Sequence, residues 1–237
     1  MKNRIWELDA ARGACILVMV AFHLIYDLSS LFSLLAPVHN PVLQFVGDWG
    51  GSVFFLISGI CVTLSRHPVR RGLTVLLSGG LVTAVTYGLY RLQFLDRSMV
   101  IWFGVLHCLG VCMLLWPLVR RFSPWALLLT GAVILAVGIP LEGTRMDIGP
   151  WLIPLGILPL AFQTADFFPL LPFFGFFLLG AFLGRRLYAS QTTRFPRVRA
   201  NAAPVRVLTW VGRWSLPIYL LHQPVITGIV MLLEGAL

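Results

Sequence analysis

Between Glu7 and Asp27 the chain reads ELDAARGACILVMVAFHLIYD, a stretch apolar enough to cross a membrane yet opened by two acids and an arginine and interrupted by His23. A charge at the centre of a span costs about 2.5–3.5 kcal/mol on insertion scales. A plain anchor would omit such groups, so their presence asks for compensation or for chemistry. His23 and Asp27 stand four residues apart and share one face of a helix. There a carboxylate can fix the imidazole tautomer and raise its basicity, as a general base requires. The alternative is an aspartate at the outer interface facing water. Arg12, eleven residues before His23, lies at the mouth of the same span.

Two further histidines, His107 and His222, fall inside apolar runs. Counted from the ends of their runs at helical rise, His23, His222 and His107 lie roughly 15, 12 and 10 Å deep. In a hydrocarbon core about 30 Å thick, all three come within one or two turns of the midplane. Any one of them alone could be a structural histidine bonding a nearby carbonyl; three at similar depth point to a site. The catalytic candidates are therefore His23, Asp27, His107 and His222. Arg12, with Arg66, Arg70 and Arg71 at the end of the second run, forms a candidate anion clamp. Topology and lipid contact are the plainer roles for any single arginine. His39 and His67 belong to loops, where solvated histidines are the rule. Cys108 and Cys112 beside His107 have ligand-like spacing, but small apolar cysteines packing on a helix account for them, and no metal site is expected.

The elements that must position these residues follow from composition. The chain of 237 residues is 58% hydrophobic and only 11% charged, against about 25% charged in a soluble domain. It carries apolar runs near 13–35, 49–65, 72–92, 100–119, 124–140, 170–188 and 214–233. The expectation is an all-α integral membrane protein of about seven transmembrane helices, forming a single domain over 1–237. No small-residue cleavage pattern follows the first run. Residues 149–162, broken by Pro150, Pro154 and Pro159, read as a re-entrant or interfacial piece. With the N-terminus cytoplasmic, fifteen of the eighteen lysines and arginines fall inside, leaving Arg91, Arg97 and Arg145 outside. Seven of the fifteen lie from Arg185 to Arg213, in a segment read as mobile or surface-lying and attracted to anionic lipid. The net charge of +9 is scattered over short loops rather than gathered in one stripe, so no nucleic-acid partner is expected. Gly180 and Gly184, four apart, would let two helices approach closely.

The segment LDAARGACILVMVAFH resembles the first-helix signature of integral-membrane acyltransferases, in which an arginine, ten residues and a histidine recur. FFLISGICVTLSR resembles their second helix and SLPIYLLHQPVI their closing helix. IWFGVLHCLGV and DFFPLLPFFGFFLLGAFLGR are similar to the small bacterial relatives of heparan-alpha-glucosaminide N-acetyltransferase. The resemblance implies a multi-pass enzyme of the bacterial cytoplasmic membrane. It would take an acyl group, usually acetyl, from cytoplasmic acetyl-CoA and pass it to a carbohydrate or other small hydroxyl or amine acceptor at or beyond the outer face. It makes His23 the catalytic histidine, as base or acyl carrier, and Arg12 its partner toward the CoA side, while His107 and His222 match family motifs. The expected partners are the lipid bilayer, the acyl-CoA, the acceptor and a second copy of the chain. Trp151 or a second histidine could donate to the oxyanion. The rival reading is a small proton-coupled transporter or flippase using the same polar residues, although the chain has no inverted repeat of the kind many transporters show.

Overall fold

The computed structural model describes residues 5–31, 40–147, 149–198 and 200–234. Every apolar run becomes a helix: α1 (Trp6–Tyr26), α2 (Pro41–Thr63), α3 (Pro68–Arg91), α4 (Val105–Val119), α5 (Pro124–Leu141), α6 (Leu170–Leu187) and α8 (Ser215–Glu234). Six of the helices among the described residues are long and apolar enough to cross a membrane, and α4 is apolar but only 15 residues long. The protein is thus an integral membrane helical protein. An eighth helix, α7 (Ala203–Arg213), forms within the basic segment that the sequence leaves without structure.

Helix starts follow local chemistry. Asn40 accepts from the Val42 backbone N–H at 2.8 Å and Pro41 opens α2, so this helix begins at residue 41 rather than 49. Ser123 accepts from the Ala126 N–H at 3.2 Å ahead of Pro124, and Pro68 opens α3 after His67. The fourth run departs most from expectation. Its first residues, 100–104, are extended rather than helical, with Phe103 bridged to Phe167 in parallel and Phe168 N–H donating to Phe103 O at 3.1 Å. The helix starts only where Asp166 Oδ2 accepts from the Val105 N–H at 3.1 Å.

Residues 149–162 do not form a span. A 3₁₀ turn, Pro150–Leu155, leads into β2 (Ile157–Pro159), which pairs in parallel with β1 (Thr144–Met146), Thr144 opposite Ile157. Arg145 ties the end of this piece down by donating to Leu160 O at 2.9 Å and Phe162 O at 3.0 Å. Three prolines remove the donors that a longer helix would need, and the backbone is paired by these short strands instead.

Packing groups the chain into two compact units, one from residues up to Phe54 and from Gln191 onward, the other from Phe55 to Ser190. In the second unit α3 packs on α4 and α5 on α6. A Cβ placed on Gly180 would overlap the Leu56 carbonyl of α2, and one on Gly184 would meet Thr63 Oγ1 at 2.6 Å. The small-residue pair of α6 therefore seats it on α2, as its spacing predicts. At the far end of α6, Arg185 donates to the carbonyls of Arg120 and Phe122 and stands 5.5 Å from the Trp116 ring centroid. It thereby satisfies carbonyls that the end of α4 leaves without helical partners. The first unit is built on α1, which packs along α7 and also touches α8.

Candidate functional site

In the first unit, His23 of α1 and His222 of α8 meet edge to face, with ring centroids 4.9 Å apart. Each ring is anchored to its own helix. His23 Nδ1 lies 2.9 Å from Met19 O, and His222 Nδ1 lies 2.5 Å from Tyr219 O. A carbonyl oxygen can only accept, so both Nδ1 atoms carry the hydrogen and both neutral rings keep their lone pair on Nε2. His222 Nε2 is buried without a hydrogen-bond partner among the described residues.

Asp27 follows one turn after His23 and is only 1% exposed. It opens a wide π turn, Asp27–Leu31, a backbone irregularity often found at functional sites. Its Oδ2 accepts from Gln223 Nε2 at 2.7 Å. Gln223 Oε1 is in turn buried and without a partner among the described residues. The four side chains gather two imidazole Nε2 atoms, a carboxylate and an amide oxygen in one place. All of these accept hydrogen bonds, so the arrangement suits a group that brings hydrogens to it. Gln223 is the member that the sequence reading missed. Its signal was a second polar side chain beside His222 inside an apolar run.

The acids that open α1 also have partners. Glu7 accepts from Thr193 Oγ1 at 2.9 Å and from the Arg194 N–H at 2.7 Å. Asp9 faces Arg12 at 3.4 Å and Arg213 at 3.6 Å, and Arg12 also donates to Gly212 O at 3.4 Å. Between these charges the two backbones touch. A Cβ on Gly13 would overlap the Leu208 carbonyl, and one on Gly212 would overlap that of Asp9. Arg12 thus fastens α1 to α7.

The second unit holds the other candidates. His107 Nδ1 accepts from the Gly104 N–H at 3.3 Å, so its hydrogen sits on Nε2, which donates to Thr83 Oγ1 at 3.2 Å. Thr83 passes its own hydrogen to Ile101 O at 2.6 Å. Both ring nitrogens are committed, and the ring ties α3 to the start of α4. Cys108 and Cys112 are fully buried with their sulfurs 4.0 Å apart, and the Cys108 thiol donates to Pro169 O at 3.4 Å. Arg66, Arg70 and Arg71 are exposed around the turn from α2 to α3, as is His67. Trp151 is 86% exposed on its 3₁₀ turn. Lys2, Arg4, His39 and Arg199 lie outside the described residues.

No curated protein and no solved structure matches the chain. The family model for heparan-alpha-glucosaminide N-acetyltransferase, catalytic, matches residues 4–224, a range that takes in α1, the His107 cluster and the His222–Gln223 pair. With nearly its whole length matched, the chain belongs to the heparan-alpha-glucosaminide N-acetyltransferase catalytic family.

Proposed function

We propose that this protein is a transmembrane acyl-CoA-dependent acyltransferase, one domain over residues 1–237 in a bacterial cytoplasmic membrane. It moves an acetyl or other short acyl group from cytoplasmic acyl-CoA to a hydroxyl or amine of a carbohydrate or other small acceptor at or beyond the outer face. Family membership supports a membrane acetyltransferase in general and favours acetyl transfer over a transporter or flippase. The observation that carries the finer reading is the His23–His222 pair beside Asp27 and Gln223.

In this reading His23 Nε2 takes the proton from the acceptor hydroxyl or amine as that atom attacks the thioester carbonyl. The carbon–sulfur bond breaks as the tetrahedral species collapses, and the imidazolium returns the proton to the CoA sulfur. With His23 as acyl carrier, the same Nε2 attacks first and expels the CoA thiolate; the acceptor then takes the acyl group from the ring, and its proton ends on the thiolate. His222 Nε2 and Gln223 Oε1, which can only accept, receive the remaining hydrogens of the acceptor and orient it. Asp27 lies one helical turn from His23 and is held there by the Gln223 amide. The candidates for the CoA phosphates are Arg12, which also bonds Asp9 and Gly212, and Arg66, Arg70 and Arg71, which are exposed around the turn from α2 to α3.

The test is transfer of radiolabelled acetyl from acetyl-CoA by the purified chain in liposomes, offered amino sugars and neutral sugars in turn. Label on product, lost in His23→Ala, supports the reading, and label on acid-quenched protein without acceptor identifies the acyl carrier. Absence of both transfer and acetyl-CoA hydrolysis across the acceptor panel, from a folded protein, would overturn it.

A further inference from the structure

The segment from Gln191 to Trp214 holds five arginines and no acid. Within it α7 is an 11-residue helix, about 16 Å long, far too short to span a bilayer. One face of α7 is taken up by α1 through Gly212 and the Leu208 carbonyl. The opposite stripe carries Arg206, Trp210 and Trp214 at four-residue spacing, all exposed, with the two tryptophans at 58% and 52% and their ring centroids 6.5 Å apart. The lead-in loop adds Arg194, Phe195 and Arg197, also exposed. This loop is held in place by the two hydrogen bonds to Glu7.

The position of this face in the membrane follows from the chain. Trp214 is followed directly by Ser215, the first residue of α8, and Ile218 N–H already donates to Trp214 O at 3.0 Å. A helix that cannot span and runs without a loop into one that can must end at the boundary between water and hydrocarbon. Indole rings favour that boundary, and arginines beside them meet lipid phosphates there. A water-facing helix would gain nothing from two exposed tryptophans. A face in contact with hydrocarbon would not carry arginines at the same level.

We propose that the Arg206–Trp210–Trp214 stripe of α7, with Arg194, Phe195 and Arg197, is a docking surface for anionic phospholipid headgroups. The occupant is an anionic rather than zwitterionic headgroup because no acid of the segment competes for the arginines. Since α7 is locked to α1 eleven residues before His23, the lipid contact also steadies the helix that carries the site.

The experiment places the full chain in nanodiscs of phosphatidylcholine or of mixtures with phosphatidylglycerol, each lipid in turn carrying bromine on its acyl chain near the headgroup. The fluorescence lost in a Trp210→Phe, Trp214→Phe variant isolates the contribution of these two rings. That contribution should be quenched more by brominated phosphatidylglycerol than by brominated phosphatidylcholine at equal mole fraction. The preference should fall by up to about fivefold for each arginine removed at low salt, in an Arg194→Gln, Arg197→Gln, Arg206→Gln series. Equal quenching by the two lipids would overturn the proposal, and so would no quenching by either, which would mean that water or another protein covers the face. The comparison of lipids on the unmodified chain decides the matter even if a variant fails to fold.

Discussion

If His23 and His222 work as one unit, removing the second after the first should cost little more activity. Loss of a positioned general base costs about 10²–10⁴-fold, or roughly 2.7–5.4 kcal/mol at 1.36 kcal/mol per decade. Two independent groups of that weight would multiply to about 10⁴–10⁸ in a double variant. Rings in edge-to-face contact at 4.9 Å should not behave so. With His23 absent, His222 Nε2 has no catalytic proton to share, and the double variant should stay near the worse single, within about 10²–10⁴. The structure also says why the variants should fold. Each Nδ1–H bond runs to a carbonyl of its own helix, worth about 0.5–1.5 kcal/mol, so between helices only the ring contact is lost. In His222→Ala a buried unpaired nitrogen disappears as well, relieving about 1–3 kcal/mol against the lost packing. The assay is acetyl transfer by His23→Ala, His222→Ala and the double variant in one lipid system, with thermal melting as the control for folding. Multiplicative losses with unchanged melting would show two separate functions and refute the paired site.

Three other outcomes are expected. Arg66→Gln, Arg70→Gln, Arg71→Gln should weaken binding of free CoA by up to about 1.5–3 kcal/mol for each charged hydrogen bond lost, more at low salt; an unchanged Kd by calorimetry removes these arginines from the donor site. Gly212→Leu should unseat α7 from α1, since even a Cβ there overlaps the Asp9 carbonyl, costing about 1–3 kcal/mol or more; unaltered melting would contradict the close approach. On a cysteine-free background, a cysteine at position 192 should resist an impermeant thiol reagent in intact cells while one at position 93 reacts, and the reverse pattern would invert the orientation drawn from the arginine count.

The helices were legible because a span needs about 20 apolar residues, which leaves a mark that no local detail can hide. Their ends were not, because they depend on partners distant in sequence. The run at 100–119 is apolar throughout, yet its first five residues are extended, held by Phe103 against Phe167 and by an N-terminal cap from Asp166. Nothing near residue 100 announces a residue 61 positions away from Val105. α7 was missed for a related reason. Arginine and proline made the segment read as loop, and its apolar positions are too few to signal a span. They are spaced, however, to lay Leu208 and Gly212 on one face, and that face becomes meaningful only against Gly13 of α1.

The histidines show the same division between type and placement. Depth alone put His23, His107 and His222 on an equal footing, since each lies about 10–15 Å into its run. What separates them is which hydrogens each can still give or take. His107 receives from Gly104 and gives to Thr83, so both nitrogens are spent on holding α3 to α4. His222 gives to a carbonyl of its own helix and leaves Nε2 buried and unmet. Buried polar groups are nearly always satisfied in a finished structure, so a nitrogen and an amide oxygen on neighbouring residues, both unmet among the described residues, are the basis on which a hydrogen-bearing substrate is proposed. Glu7 and Asp9 make the converse case. Acids at the head of an apolar helix call for compensation, and the loop before α7 and Arg12 with Arg213 supply it. Charge in this helix is structural where its partners are protein, which leaves His23, one turn before the buried carboxylate of Asp27, as the residue proposed for the reaction.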